Sequence, residues 1–305
     1  MGIGFIVVSM KKMTESAKKY RDTLPDYNNY SIEELSQMPS YFGWVKCQHF
    51  SENEPFVMFL GGNDDGIALR FFWNNSYEKT SLKIWSELSI ESSLIIDVGA
   101  HTGVYSLAAL SSNKRAEVIS FEPNFLNFGR LNLNLRANNF STKSSFMFGV
   151  GKEEKNAPFS IPFSFDYLST GGALGSKDDQ LTYSASMVSL DSFLRQDQGG
   201  MVDLVKIDTE GHEALVLEGM KGVLAKSRPI LLFECIDNEV GFAVKEILLK
   251  YDYKFYLIDE INGKVMPVDE IEPIFGKDGR PVFHLLNRIA CPSNKTPSLG
   301  ILAKE

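Results

Sequence analysis

Between residues 93 and 235 short apolar runs alternate with stretches whose apolar residues recur at helical spacing. That alternation predicts strand–helix–strand units wound around a parallel sheet covered on both faces, because a parallel strand pair needs a long crossover that a helix supplies. Residues 93–99 read as the first strand, 104–110 as a helix, and 117–121 as the second strand. Residues 125–138 read as a helix with Phe128, Leu131 and Leu135 on one face. A third strand is expected at 144–150 and a fourth at 202–207. A helix at 213–224, aligning Leu217, Met220 and Leu224, and a fifth strand at 229–233 follow. Val240, Ala243, Val244, Ile247 and Leu248 fit a further amphipathic helix, with closing strands at 253–258 and 282–289.

The first 90 residues are less regular. Residues 2–10 (GIGFIVVSM) are apolar but fall well short of the ~20 residues a membrane helix needs. They also lack a basic segment before them, so a buried strand or a disordered start is expected and no membrane span. Residues 55–60 and 67–72 flank the turn Gly61-Gly-Asn-Asp-Asp-Gly66 and read as a hairpin. Asn63, Asp64 and Asp65 lack the spacing to a distal Glu that a calcium loop requires, so a plain turn is expected. Residues 151–186 are rich in Gly, Ser, Pro and Phe and too long for a connector. The aromatics Phe159, Phe163, Phe165 and Tyr167 favour an ordered, lid-like cover. The organisation expected is therefore an extension with a hairpin at 1–90, serving substrate or oligomer contacts, a core at 91–260 carrying the 151–186 insertion, and a closing strand and tail at 261–305. A homo-oligomer stays open.

Charge narrows the partners. With 31 Lys+Arg against 39 Asp+Glu the net charge is -8, which disfavours nucleic acid, whose affinity comes from clustered cations. Three separated cysteines, Cys47, Cys235 and Cys291, make no disulfide framework and suit a reducing, cytoplasmic setting. Cys47 and His49 alone make a weak zinc pair. The four Asn-x-Ser/Thr sequons, at Asn29, Asn74, Asn139 and Asn294, read as chance without a secretory signal.

The chemistry concentrates at two strand ends. Asp97-Val-Gly-Ala-His-Thr-Gly103 closes the first strand and opens a helix, where glycines let backbone approach a ligand and helix N–H groups point into the gap. His101 stands where a dinucleotide fingerprint would place its middle glycine, which disfavours NAD. Glu122, nineteen residues past Gly103 and just beyond the second strand, is where a carboxylate accepts hydrogen bonds from ribose hydroxyls. The second cluster is Lys206-Ile-Asp-Thr-Glu-Gly-His-Glu213, five ionisable side chains in eight positions. If the spatial order is 3-2-1-4-5, the two clusters face one crevice. Asp208, Glu210 and His212 could ligate a metal, but no HExxH and no second nearby His accompany them, so none is expected. Glu213 can serve the dipole of the following helix, and Glu234 can line the crevice or cap a turn.

DVGAHTG, FEPN (Phe121 to Asn124), Leu-Asn-Leu-Asn (Leu131 to Asn134), VSLDSFL (Val188 to Leu194) and DLVKIDTEGHEALVLEGM (Asp203 to Met220) together resemble the FkbM family of S-adenosylmethionine-dependent methyltransferases. The resemblance runs from Tyr77-Glu78 to Glu234. It implies a class I methyltransferase fold, a Rossmann-like doubly wound α/β sheet of seven strands with the last antiparallel. It also implies S-adenosyl-L-methionine as cofactor and O-methylation of a hydroxyl on a sugar, polyketide or other small-molecule or glycan acceptor. Carried over by position, Asp97, Gly99, Ala100, His101 and Gly103 would surround the methionine and sulfonium end. Glu122 with Pro123 would hold the ribose, residues 148–150 including Val150 would border the adenine, and Asp208 would complete the site. His101 departs from the Asn commoner there, a mild change since both can donate a hydrogen bond.

An alcohol attacking a sulfonium methyl must lose its proton, so His212 or Asp208 is expected to take it, a neutral imidazole being the best-matched base near pH 7. Lys206, Glu210 and Glu213 follow as candidates for binding acceptor hydroxyls. The competing readings are a non-catalytic adenosyl-binding or interaction scaffold and an NAD(P)-dependent oxidoreductase. The acceptor would be read by the N-terminal extension, the tail and the 151–186 insertion.

Overall fold

The computed structural model describes residues 2–49, 54–162, 172–175, 180–196 and 201–295. Helix α1 (Gly2–Arg21) incorporates the apolar run at 2–10, where a buried strand or disordered start is expected. The helix-forming Met, Lys, Glu and Ala residues of 10–19 supply the propensity that carries it. Its inner side meets the body through the fully buried Ala17 and through Thr14, whose Oγ1 bonds Phe42 in both directions at 3.1 and 3.2 Å. Helix α2 (Ile32–Ser36) begins with a reciprocal cap between Ser31 and Glu34.

Strands β1 (Tyr41–Cys47) and β2 (Phe56–Gly62) pair antiparallel. The hairpin expected from 55–60 and 67–72 is thus corrected, because the second arm is helix α3 (Gly66–Asn74). Asp65 caps it, accepting from the N–H groups of Ile67 and Ala68 at 2.9 and 3.1 Å. Ile67, Ala68, Leu69, Phe71 and Trp73 are buried while Arg70 and Phe72 are half-buried, and a mostly apolar run this short is easily read as a strand. Asp64 ion-pairs with Arg130 at 2.7 Å. The Cys47 thiol is buried and pushed up by that burial, while His49, against the Phe56 ring, is pushed down to about 4 by desolvation.

After α4 (Lys79–Ile90) the alternation unfolds much as read: β3 (Leu94–Val98), α5 (Val104–Ser112), β4 (Glu117–Phe121) and α6 (Phe125–Ala137). The single strand expected at 144–150 is two short ones, β5 (Ser145–Phe146) and β6 (Gly149–Val150), which belong to different sheets. Strands β7 (Lys155–Pro162), β8 (Ala173–Leu174) and β9 (Gln180–Val188) join β6 in a second sheet of order β6-β9-β7-β8. Phe159 lies buried in it, whereas Phe163, Phe165 and Tyr167 lie outside the described residues. Helix α7 (Leu190–Gln196) and β10 (Leu204–Ile207) follow.

The helix expected at 213–224 is broken into α8 (Glu213–Glu218) and α9 (Lys221–Lys226). The break is a packing device: a Cβ at Gly219 would stand 1.9 Å from the Gly151 carbonyl oxygen, and Asp191 caps the second segment through the N–H groups of Gly222 and Val223. The chain closes with β11 (Ile230–Glu234), α10 (Asn238–Leu249), β12 (Tyr253–Asp259), β13 (Lys264–Val268), a 3-10 turn (Phe283–Leu285) and β14 (Asn287–Pro292). The last strand starts later than the expected 282, since the 3-10 turn takes its first residues.

The main sheet runs β13-β12-β14-β11-β10-β3-β4-β5. Strands β5, β4, β3, β10 and β11 are parallel, in the predicted order 3-2-1-4-5, and β14 lies antiparallel between β11 and β12. That is the Rossmann-like doubly wound α/β sheet of class I methyltransferases, with β13 as an added antiparallel edge. One core cluster packs the N-terminal elements, α4 and α5 on one face, and a second packs α8, α9 and α10 on the other.

The N-terminal strand pair is stitched to this core by one face of α6. Asn134 accepts from the Phe59 N–H at 2.9 Å and donates to the Thr102 carbonyl at 2.8 Å, so one amide ties β2 to the loop after β3. Asn138, one turn on, bonds both backbone groups of Val57 at 2.8 Å, and Arg130 donates to the Phe59 carbonyl at 2.7 Å. The edge of β2 is thereby satisfied by side chains at i, i+4 and i+8 of one helix.

Candidate active site

The carboxyl ends of β3, β4, β10 and β11 meet where the parallel order reverses, the place where an open sheet leaves a crevice. A cavity of about 260 Å³ lies there. The loop after β3 is fixed from two sides. Gly99 and Ala100 both donate to the Phe121 carbonyl at 2.9 Å, and Gly99 holds a φ of 79°. A Cβ on Gly99 would stand 1.8 Å from the Asp208 carbonyl oxygen, so the two chemical clusters touch backbone to backbone there. At Gly103, with φ 101°, a Cβ would meet Leu131 at 2.6 Å.

Glu122 binds this loop to the next. Its two carboxylate oxygens accept the His101 and Asn124 N–H groups, each at 2.8 Å. Burial nevertheless raises its pKa to about 7, outweighing those two bonds, with Asp97 and Asp208 adding in the same direction. Asp97 lies underneath, buried, accepting from Ser106 Oγ at 2.6 Å, its pKa raised by burial to about 6.

The β10 end is organised by Lys206 and Glu213. Lys206 is 1% exposed, with Nζ 2.9 Å from Asp208 Oδ2 and 4.7 Å from the Tyr105 ring centre. Burial alone would lower its pKa, but Asp208, Glu234 and Glu78 more than offset that and raise it. Lys206 therefore stays charged beneath Asp208. Tyr105 in turn donates to Glu78. Glu213 Oε1 gathers the N–H groups of Thr209 and Gly211 and the Thr209 hydroxyl at 3.0 to 3.3 Å, which staples the loop carrying Glu210 and His212. His212 Nδ1 is buried without a hydrogen-bond partner, and the Lys206 contact rather than His212 holds Asp208 Oδ2.

Of the residues predicted from sequence, Gly99, His101, Glu122, Pro123, Val150, Asp208, Glu210 and His212 line the cavity, as does Glu234. Asp97, Ala100, Gly103 and Lys206 do not; they hold its walls from behind. Residues 148–150 line the end nearest Glu122, joined by Phe159, Leu174 and Met187 of the second sheet. Tyr183 of β9 donates to the Pro123 carbonyl at 2.6 Å, so the insertion closes over the Glu122 end.

The opposite end was not found from sequence. Ile67 and Arg70 of α3, Tyr77, Ile236, Phe283 and Leu286 form it. The Arg70 guanidinium sits 5.0 Å from the Phe283 ring centre and 5.9 Å from that of Tyr77. Arg288, 2% exposed, fixes the segment bearing Phe283 by donating to the carbonyls of Leu285, Leu286, Asn287 and Glu272. The N-terminal extension and the tail, the segments expected to read the acceptor, supply most of this wall, although none of these residues was singled out from sequence. Glu234, half-buried near Asp208 and Glu78, has its pKa raised well above the usual carboxylate value by desolvation and by those charges. Among the described residues no group of three His, Cys, Asp or Glu side chains has the arrangement to hold a metal ion.

The chain resembles, at 16% identity and TM-score 0.40, an FkbM methyltransferase from Methylobacillus flagellatus, over 73% of this chain and 52% of that one. It therefore spans about half the length of that protein. A precorrin-6y C5,15-methyltransferase from Geobacter metallireducens aligns at 13% identity and TM-score 0.40 over 71% of this chain and 88% of the other. A SAM-dependent O-methyltransferase from Thermotoga maritima aligns at 12% and 0.37, over 70% and 63%. No curated protein matches. The model of the methyltransferase FkbM domain matches residues 97–255, more than half the chain and the whole span from the glycine loop to β12, and this chain accordingly belongs to the FkbM methyltransferase domain family.

Proposed function

We propose that this chain transfers the methyl group of S-adenosylmethionine to a hydroxyl of a small-molecule or glycan acceptor. The observation that carries the reading is the single cavity joining the Gly99–His101–Glu122 loops to the Asp208–Glu210–His212 loop. The residues present fit the cofactor's adenosine portion. Glu122 presents a buried carboxylate, and Asn124, 1% exposed and lining the cavity, keeps its side-chain amide nitrogen without a partner. An unmatched buried donor beside a buried carboxylate suits a ligand that brings both hydroxyls and acceptors.

When bound, S-adenosylmethionine supplies an electrophilic methyl on a sulfonium that an oxygen displaces in line. The chain's share is then to position and to move one proton. Gly99 and His101 bound the reacting end, with the insertion excluding water from the Glu122 end. Asp208, paired with Lys206, accepts from a neighbouring hydroxyl of the acceptor and leaves the reacting hydroxyl free to face His212. His212, whose Nδ1 is uncommitted within the protein, takes the proton. Glu210 and Glu234 line the acceptor side and accept from further hydroxyls.

The test is S-adenosylhomocysteine formation with a panel of sugars, polyketides and other hydroxyl-bearing acceptors. Turnover that falls about a hundredfold or more in His212→Ala supports the base assignment. Turnover within about threefold of wild type in both His212→Ala and Asp208→Ala would remove it.

A further inference from the structure

The end of the cavity away from Glu122 holds a guanidinium without a counter-ion. Arg70 is the one lysine or arginine among the described residues that line the cavity. Its Nη1 donates to the Gly66 carbonyl of its own helix at 3.1 Å, and among the described residues no carboxylate pairs with it. The other cations nearby are committed, Lys206 to Asp208 and Arg288 to four backbone carbonyls. The guanidinium rests instead against two rings, 5.9 Å from the centre of Tyr77 and 5.0 Å from that of Phe283. An arginine held on rings keeps its in-plane N–H groups, the fork that matches the two oxygens of a carboxylate or phosphate. Phe283 is 52% exposed, so this fork stands where the cavity reaches solvent.

We infer that the acceptor carries an acidic group, a carboxylate or a phosphate, which the Arg70 fork grips while the reacting hydroxyl faces His212. The inference rests on the methyl-transfer reading of this cavity and adds the chemical class of its acceptor. Arg70 and His212 line the same cavity, and Tyr77 feels Arg70 together with Asp208 and Glu234, so one small molecule can meet both. An ammonium-bearing acceptor is the weaker candidate, although Asp208, Glu210 and Glu234 line that end too. Asp208 already has Lys206 as its counter-ion, and desolvation pushes Glu234 toward its neutral form, which attracts no cation. An oxyanion at Arg70 would instead meet the one lining cation that the fold leaves without a partner among the described residues. A two-point, charge-assisted contact is stronger than a neutral hydrogen bond, which makes Arg70 a selector among hydroxyl compounds.

The experiment compares acceptors that differ in a single group. One set is glucose, glucuronate, glucose 6-phosphate and glucosamine, and the other is hydroxybenzyl alcohol, hydroxybenzoate and hydroxybenzylamine. Binding is read by calorimetric titration of the full chain, with and without S-adenosylhomocysteine, for the wild type, Arg70→Met and Arg70→Lys. An anionic member should bind about tenfold or more tightly than its neutral parent. Arg70→Met should close that gap with the S-adenosylhomocysteine Kd unmoved, and Arg70→Lys, which keeps the charge and loses the fork, should retain part of it. The carboxylate and phosphate arms tell which acid is read. Equal binding of charged and neutral members, no binding of any anionic member, a preference for the amines, or an anion preference that survives Arg70→Met overturns the inference. Turnover is scored separately: methyl transfer to neutral members that ignores Arg70 would keep the reading of the reaction and overturn this one. Arg70-dependent anion binding without turnover of any member would place the fault in the reaction and uphold the anion contact.

Discussion

At the Glu122 end of the cavity, backbone does most of the holding. Gly99 lies against the Asp208 carbonyl, Phe121 receives two amides, and Glu122 itself receives two more. At the Arg70 end, side chains from α3, Tyr77, the residue after Cys235 and the segment before β14 converge, and a single buried arginine, Arg288, ties down the last of these. At the first end Gly99 cannot gain a side chain without moving the Asp208 loop. The second can exchange a ring or a charge and keep its frame. A constant cofactor and a variable acceptor are the demands that these two constructions suit.

Gly99→Ala should break the first end with the largest effect. Its Cβ would overlap the Asp208 carbonyl at a φ of 79°, so a stability loss of about 3 kcal/mol or more and loss of S-adenosylmethionine binding are expected. Denaturant melts and ligand titration measure both, and a variant with wild-type stability would contradict the backbone contact. Asn134→Leu attacks the frame shared by both ends, removing two buried hydrogen bonds and leaving the Phe59 N–H and Thr102 carbonyl unmatched. About 2–4 kcal/mol of destabilisation should follow, with ligand affinity unchanged once the protein is folded.

Arg70→Ala should act on the second end alone. We expect the acceptor KM to rise about tenfold with the cofactor Kd unmoved, since Arg70 sits with Tyr77 and Phe283 and is not bonded to the loops that Glu122 ties together. A cofactor Kd that moves with it would erase the distinction between the ends.

The smallest effect is on pH. Without ligand, burial raises Glu122 from 4.5 to about 7 and Asp97 from 3.8 to about 6. The folded chain then holds protons that the unfolded chain has released. This stabilisation is complete below the unfolded values and is lost as pH rises through about 6 to 7. The ligand-free protein should melt a few degrees higher at about pH 5.5 than at about pH 8. Glu122→Gln should flatten that slope, and an unchanged slope would locate the proton elsewhere.

The first end was legible because its chemistry is written in consecutive residues. Asp97 to Gly103, Glu122 and Lys206 to Glu213 each sit at a strand end, and the alternation of strands and helices sufficed to bring the strand ends together. Roles were less legible than places. Asp97 and Lys206 support the walls instead of lining the cavity, a difference that depends on which face of a strand end a side chain takes. The second end was legible only as segments, the extension and the tail, and not as residues, because Arg70 and Phe283 are more than two hundred residues apart and lie in stretches with misleading local patterns. The α3 segment is short and mostly apolar and mimics a strand, and the turn before β14 mimics part of one. The asparagines of α6 show a middle case, since Leu131 to Asn134 stood out as a motif while its partner, the edge of β2, could come only from the fold.

The measurement that bears most directly on this account is calorimetric titration with S-adenosylmethionine, S-adenosylhomocysteine and NAD, for the wild type and for Glu122→Gln. The account predicts a Kd of about micromolar for the two adenosyl ligands. Near neutral pH a proton should be released, since ribose hydroxyls donating to Glu122 favour its charged form, and affinity should fall about tenfold or more in the variant. Unchanged affinity in Glu122→Gln, or binding of NAD in place of the adenosyl ligands, would contradict it.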